Sequence, residues 1–569
     1  MHLRLLAVPL LLTGCGHSSE ELPRPVDVVL ITLDTTRADV LAAGPERAAL
    51  APHLDRLFRE GIEYTQARSV SPLTLPAHAS MMTGLYPPRS GVRGNGPMML
   101  GSEAVTLAER AREGGYRTAA FVAALALDRV YGLEQGFEVY DQPRPRAGRA
   151  VGAISDRPAT EVVSAARAFL ASRDDRRPLF LWVHFFDPHA PYDPPAGALG
   201  LAGGDLYRGE VAAMDQALGA LLEELGGSGL LERALVAVVG DHGEALGEHG
   251  EPTHGQLCYD GTLRVPFMLR YPDGHRAGEQ SAELVSVVDV QATLLESMGL
   301  TPPDDADGVS LYRRSAPETR GLYFESFEGW RLHGWSPLVG WLDRSGKYIH
   351  SSRPELILAG TAEGEDGTVG AAGADTAPYL QGIRSVLEGE RLAPPGRTGL
   401  DEVRRRELAA LGYTASEHAA GDFPDPLEVA GLPSPAERIG DTVRLEAATA
   451  QLAVGKLSQA AATLEELVER NPTSPTMLEV LARCRLAERN FEAALELLER
   501  RLVLPPESIA THRDLATCLR ELGRPQEADA HVRRSLELLI EWSERRGELE
   551  QADRYRRILE QAPQPPKDS

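Results

Sequence analysis

Three apolar runs in the chain each end on a carboxylate or an imidazole. VDVVLITLD closes on Asp34, LFLWVHFFDPH on Asp187 and His189, and ALVAVVGDHG on Asp241 and His242. Runs so rich in Val, Leu and Phe fit strands buried on both faces, the condition of a parallel sheet. Across residues 26 to about 350 such runs alternate with helical stretches, among them Glu161 to Ser172 and Gly209 to Leu225. That alternation predicts an α/β domain with a doubly wound, mostly parallel sheet. Ligands bind such sheets in the crevice beyond the carboxyl ends of the strands, so the three polar ends predict one shared site.

The pattern changes twice further along. Residues 354 to 376 thin to Gly, Ala, Glu and Thr and read as a loop region, while a Pro- and Ala-rich stretch over 414–439 reads as a linker. The α/β domain is therefore expected over 26–413, with a smaller subdomain from about 318. After the linker the chain repeats. Gly455, Arg489 and Gly523 lie 34 residues apart, as do Ala448, Ala482 and Ala516, Ala460, Ala494 and Ala528, and Pro472 and Pro506. This period, with small residues where paired helices cross, resembles tetratricopeptide repeats. Three units fit near 441–474, 475–508 and 509–542, with Ser543 to Gln561 as a capping helix and 562–569 as a tail. Stacks of this kind offer a concave surface, which implies a protein or peptide partner; a spacer or dimerisation role fits the same repeats.

At the start, Leu5 to Leu12 is an apolar stretch of eight after a single Arg4, far too short to span a bilayer. Leu12-Thr13-Gly14-Cys15 closes it and resembles a bacterial lipoprotein lipobox. The resemblance implies a signal peptide over 1–14, lipidation of Cys15, a tether over 15–25 and a place in the bacterial cell envelope. Gly16 is not the Asp that would mark inner-membrane retention in that family, so the expectation for a Gram-negative cell is the outer membrane facing the periplasm. The remaining Cys258, Cys484 and Cys518 have no metal-ligand spacing and imply no disulfide framework. With 59 basic against 83 acidic residues, the net charge of −24 argues against nucleic acid as a partner. An anionic substrate must then be held by local chemistry.

That chemistry centres on SPLTLPAHASMMTGLYPPRSG. Thr74 is expected as an N-cap, with Pro76 in the first turn, a helix over Ala77 to Met82 and Gly84 closing it. His78, four residues on, shares a side with Thr74. The unpaired N–H groups of a helix N-terminus make a ready anion site.

Six blocks now follow in order: ITLDTTRAD, APHLDRLFREGIEYTQARS, TLPAHASMMTGLYPPRSGVRGN, FFDPHAPY, GDHGEALGEHGEPTHG and LRVPF. Their series resembles the sulfatase-like hydrolases of the alkaline phosphatase superfamily over roughly residues 26 to 350. Carried over by position, the resemblance implies that Asp34, Asp241 and His242 are metal ligands and that Thr74 is the nucleophile, itself touching the metal. His78, Asn95, His189 and His254 then stand where these relatives hold donors to substrate oxygens or the leaving-group acid. A Thr hydroxyl is a poor nucleophile at its free pKa, and metal coordination is one way to activate it.

Two departures from the family pattern shape the expected activity. Sulfatases carry Cys or Ser, converted to formylglycine, where this chain has Thr74, and Arg where it has His78. No formylglycine is expected, because threonine cannot give the aldehyde hydrate. A plain alkoxide leaves a covalent ester that water must cleave, a route phosphorus tolerates better than sulfur, so the site resembles the Thr-dependent phosphodiesterases, phosphatases and phosphotransferases. Thr35 stands where calcium-type sulfatases place a further Asp, and imidazole at His242 shifts the preference toward zinc or manganese. One ion is favoured over two; a second would draw on Asp187, His189 and His254. The expectation is a metal-dependent hydrolase or transferase of phosphate, phosphonate or sulfate esters, and the rival is a catalytically weak scaffold whose repeats recruit partners.

Overall fold

A computed structural model of the chain describes residues 27–96, 98–143, 157–174, 176–361, 363, 368–370, 375–392, 423–504, 507–545 and 549–562. The expected signal peptide, Cys15 and its tether, residues 414–422 of the expected linker, and the tail beyond Ala562 lie outside the described residues.

An eight-stranded sheet forms the centre, in the order β4-β3-β5-β1-β6-β7-β2-β8. Its strands are β1 (Asp27–Leu33), β2 (Ile62–Arg68), β3 (Arg117–Phe121), β4 (Val139–Asp141), β5 (Leu179–Phe185), β6 (Ala234–Gly240), β7 (Phe267–Arg270) and β8 (Glu279–Ser286). All neighbours run parallel except β7, which is antiparallel to both β6 and β2. Every residue of β1, β5 and β6 is buried. That is the double-faced burial the apolar runs predicted, with helices covering each face. The two helical stretches appear as Ala159–Ser172 and Leu206–Gly227.

A second, five-stranded antiparallel sheet follows, in the order β13-β12-β11-β10-β9. It comprises β9 (Leu322–Ser326), β10 (Leu338–Leu342), β11 (Gly346–His350), β12 (Glu355–Leu358) and β13 (Thr368–Gly370). Here the structure differs from the expected loop over 354–376, because β12 and β13 lie inside it. Pairing with β11 supplies the hydrogen bonds, and Leu356 and Ile357 supply buried apolar surface within a polar text.

The helical region begins at Pro435, inside the stretch read as linker, because Ser434-Pro435 is itself a helix start with proline in the first turn. Paired helices follow: Pro435–Ala453 with Leu457–Arg470, Pro475–Ala487 with Phe491–Leu502, and Ile509–Glu521 with Pro525–Arg545, then Leu549–Gln561. Ala448, Ala460, Ala482, Ala494, Ala516 and Ala528 all lie in one core, which is why small residues recur at the repeat interval. Trp335, from the segment between β9 and β10, is buried in that same core. Among the described residues no helix is long and apolar enough to cross a membrane.

Candidate active site and metal centre

The polar ends of the runs lie beyond the carboxyl ends of the three adjacent strands β5, β1 and β6. The ladder continues one residue past them, with Asp34 N–H donating to Phe185 O at 3.0 Å and Asp241 N–H to Leu33 O at 3.2 Å. This places the Asp34 and Asp241 side chains together. His242 Nε2 lies 3.6 Å from Asp34 Oδ1 and 3.6 Å from Asp241 Oδ2. His242 Nδ1 donates to Gly243 O at 2.9 Å, which leaves Nε2 bare toward the carboxylates.

Thr74 comes from across the crevice. The helix spans Thr74–Thr83, with Leu73 as its N-cap and Gly84 closing it in the left-handed region. The expected capping role of Thr74 is therefore corrected. Its hydroxyl makes no cap hydrogen bond and lies 3.3 Å from His242 Nε2. Helix residue His78 turns inward as expected, with Nδ1 donating to Thr74 O at 2.8 Å and lying 3.6 Å from Asp241 Oδ2. Asn95 Oδ1 accepts from Leu75 N–H at 2.9 Å, and its buried amide nitrogen has no partner. His254 completes the wall, its ring 4.5 Å from that of His242 and 5.0 Å from that of His189.

Asp187 does not join them. Two residues past β5 the chain turns, and Asp187 Oδ2 accepts from Ala159 N–H at 2.9 Å, at the start of the Ala159–Ser172 helix. A second ion on Asp187, His189 and His254 is thus not what the geometry assembles. Two residues outside the expected set do sit in the site. His184, inside β5, places Nε2 at 3.3 Å from Asp34 Oδ2. Glu244 accepts from His254 Nδ1 at 3.0 Å and from the Tyr192 hydroxyl at 3.1 Å. An imidazole within an apolar strand was the available signal for His184; Glu244 had none apart from the surrounding motif.

Among the described residues two overlapping groups can hold a metal ion: Asp34, Asp241 and His242, and His78, His184 and Asp241. Both oxygens of Asp34 and Oδ2 of Asp241 are buried and accept no hydrogen bond. Asp241 Oδ1 accepts from His242 N–H at 2.6 Å, but the other three oxygens lack the compensation that buried charge requires, and a divalent cation supplies it. Burial, and then the neighbouring Asp34, push the Asp241 carboxyl well above its usual range, and burial raises Asp34 as well. Burial drives His242 and His78 well down and takes His184 and His189 to about 3, so these rings are neutral. His254 is the exception. Burial lowers it, but the Glu244 carboxylate outweighs that and holds it above its ordinary value.

A doubly wound sheet bearing a carboxylate–imidazole cluster beyond its central strands is the alkaline phosphatase superfamily fold. Residues 26–300 match the sulfatase family and residues 451–503 match a tetratricopeptide repeat, so the chain carries a sulfatase-family domain followed by such repeats. An ulvan-active sulfatase of Formosa agariphila is 27% identical over 339 residues, covering 51% of this chain and 65% of that protein. A steryl-sulfatase of Mus musculus is 25% identical over 395 residues, covering 50% and 63%. The chain thus spans less than two thirds of these two relatives. Solved structures of phosphonate monoester hydrolases from Silicibacter pomeroyi and Agrobacterium radiobacter share the fold. Their TM-scores are 0.52 and 0.51 at 19% and 22% identity, covering 64% of this chain and 94% and 95% of theirs.

Proposed function

We propose that the chain is a metal-dependent hydrolase of anionic esters with Thr74 as nucleophile, acting on phosphate or phosphonate esters in preference to sulfate esters. The observation that carries this reading is the Thr74 hydroxyl, freed from capping and held 3.3 Å from His242 Nε2 beside the unpaired oxygens of Asp34 and Asp241. Asp34, Asp241, His242 and Thr74 would hold the ion, zinc or manganese before calcium because one ligand is imidazole, and one ion before two. Such an ion, when bound, offsets the charge of Asp34 and Asp241 and lowers the pKa of a hydroxyl beside it.

The residues then divide the work. The buried Asn95 amide, which has no partner, stands at the helix N-terminus where the ester's oxygens gather and is the donor aimed at charge that grows during transfer, while His78, its one proton given to Thr74 O, braces that turn. Thr74 Oγ1 forms a bond to phosphorus as the bond to the alcohol oxygen breaks; the Thr74 proton passes to solvent water, and the departing oxygen takes a proton from histidine. His254 is the better donor, since Glu244 holds its pKa up while burial takes His189 to about 3. Water then attacks phosphorus and the bond to Thr74 Oγ1 breaks; Oγ1 takes back a proton shed by that water, and the acid is released. With one hydroxyl on its Cβ, Thr74 cannot expel the group by collapse to an aldehyde, which is why phosphorus is favoured.

The test uses the purified chain loaded with zinc or manganese and a panel of aryl phosphate, phosphodiester, phosphonate and sulfate esters. Thr74→Ala is expected to lose turnover by at least about 10³-fold, the scale of losing a nucleophile. Unchanged turnover in that variant would sink the assignment. A chain that binds no metal and turns over none of the panel would instead be a scaffold whose repeats recruit a protein partner. Lipidation of Cys15 in a bacterial envelope belongs to the same proposal, and loss of labelled-palmitate incorporation in Cys15→Ala checks it.

A further inference from the structure

The loop that carries His254 leaves the end of β6 at Asp241 and returns at Leu257, closed by its own bonds. Ala245 N–H donates to Thr253 O at 2.6 Å, Glu251 Oε1 accepts from Gln256 N–H at 2.7 Å, and Glu244 accepts from His254 Nδ1 at 3.0 Å. Its tip is strained, with Leu246 at φ +52° and His249 at φ +55°. Side chains keep such angles only where their surroundings over-determine them. Arg37 supplies part of that restraint, donating from Nη1 to Glu244 O at 2.9 Å and from Nη2 to Glu248 Oε1 at 2.8 Å.

Further restraint comes from the helical region. Ile439 lies in its first helix, Pro435–Ala453, yet packs outside the repeat core, in an apolar cluster with Leu257, Tyr259 and Phe324 of the α/β domain. Its side chain is buried. The Cγ2 methyl seats on the loop tip, where a Cβ on Gly250 would lie 3.2 Å from it. The neighbouring His249 ring stacks on Tyr259 of the same cluster at 3.8 Å.

We propose that Ile439 is a positioning residue for His254, which makes the first helix of the repeat region part of the catalytic unit. The inference rests on the reading of His254 as the leaving-group acid. A tip released by Ile439 relaxes its left-handed residues, and Glu251 and Glu244 carry the movement to the imidazole. A proton donor must lie within hydrogen-bond reach of the departing oxygen. Displacing it slows the departure of a poor leaving group and spares a good one, which leaves as the anion.

The test uses the full chain loaded with zinc and aryl phosphate esters whose leaving groups run from dinitrophenol to phenol. The quantity read is kcat/KM for the phenyl ester relative to the dinitrophenyl ester, since kcat/KM stops at the step that breaks the ester bond. His254→Ala sets the scale, lowering this ratio about 10²- to 10⁴-fold, the contribution of a general acid. Ile439→Ala is expected to lower it about 10- to 100-fold, the scale of a small misplacement. Ile439→Leu keeps the volume but loses the methyl branch that meets Gly250, so it lowers the ratio in the same direction. Ile439→Val keeps the branch and should hold the wild-type ratio. Leu498→Ala, in the repeat core, is expected to lower the thermal midpoint and leave the ratio alone.

A wild-type ratio in both Ile439→Ala and Ile439→Leu would overturn the proposal. So would a fall in Ile439→Val that matched Ile439→Leu, or one in Leu498→Ala that matched Ile439→Ala and so marked a general loosening. The near-native volume of Ile439→Leu keeps the test decisive if Ile439→Ala fails to fold. A wild-type ratio in His254→Ala, or no turnover of any ester by the wild type, sinks the reading of the site and the inference with it, a failure distinct from the others.

Discussion

Thr74 and Asp187 show how much one side chain's direction decides. Both are short polar residues suited to binding the free N–H groups of a helix start, Thr74 from within its own helix and Asp187 from the turn after β5. Asp187 takes the backbone N–H of Ala159 and is thereby used up. Thr74, one position too late to cap, keeps its hydroxyl for the site. Asp34, Asp241 and His242 were legible because each ends an apolar run, whereas His184 was hidden by standing within one. Glu251 offers a test at this scale. Burial raises its carboxyl to about 8, and Oε1 accepts from Gln256 N–H at 2.7 Å and Leu257 N–H at 3.2 Å. Its folded-state pKa exceeds that of the unfolded chain. The stability tied to its protonated form is therefore complete below the unfolded carboxyl range and lost as pH rises through about 8. Glu251→Gln keeps the acceptor and removes the titration, so it should raise the thermal midpoint more at pH 9 than at pH 5. A difference that does not change with pH would contradict this.

At the scale of elements, the Thr74–Thr83 helix must stop where it does for Thr74 to sit at the site. Gly84 ends it with φ at +70°, where a side chain is strained, and a Cβ there would lie 2.8 Å from Gln291 Oε1. Gln291 has its own task, donating from Nε2 to Met82 O at 2.9 Å, so it cannot simply swing aside. Gly84→Ala should cost about 1–2 kcal/mol for the left-handed backbone alone, measured by urea unfolding. A cost near zero would mean that the turn has another conformation available. The helix and its glycine stop were readable from local rules. The strands β12 and β13 were not, since their text is loop-like and their order comes from pairing, β12 with β11 and β13 with β12.

At the scale of the whole molecule, the repeats are built onto the α/β domain. Trp335 is fully buried in the repeat core, and its Nε1–H donates to Asn471 Oδ1 at 3.0 Å. Asn471 Nδ2 in turn donates to Asp441 Oδ2 at 2.8 Å, and Thr476 Oγ1 to Leu332 O at 2.6 Å. The Glu328–His333 helix just before Trp335 carries the Glu328–Arg331 ion pair, and Arg331 and Glu328 are the neighbours a side chain on Gly94, beside Asn95, would meet. Trp335→Ala removes a buried indole and leaves Asn471 short of a donor, for a loss of about 3–5 kcal/mol. Calorimetry should then show the repeats melting separately, below the α/β domain. One cooperative transition at the wild-type temperature would mean that the indole does not join the two.

The chain's own text carried most of the local order and named candidates for the chemistry. Apolar runs buried on both faces, a 34-residue interval of small residues and a set of metal-competent side chains are patterns that any packing of these residues must respect. What the text could not decide depends on approach across space. The bond from Asp187 to Ala159, the meeting of His184 with Asp34, and the seating of Trp335 among the repeats each join residues far apart in the chain. Such pairings follow from strand order and domain docking, which no local periodicity encodes.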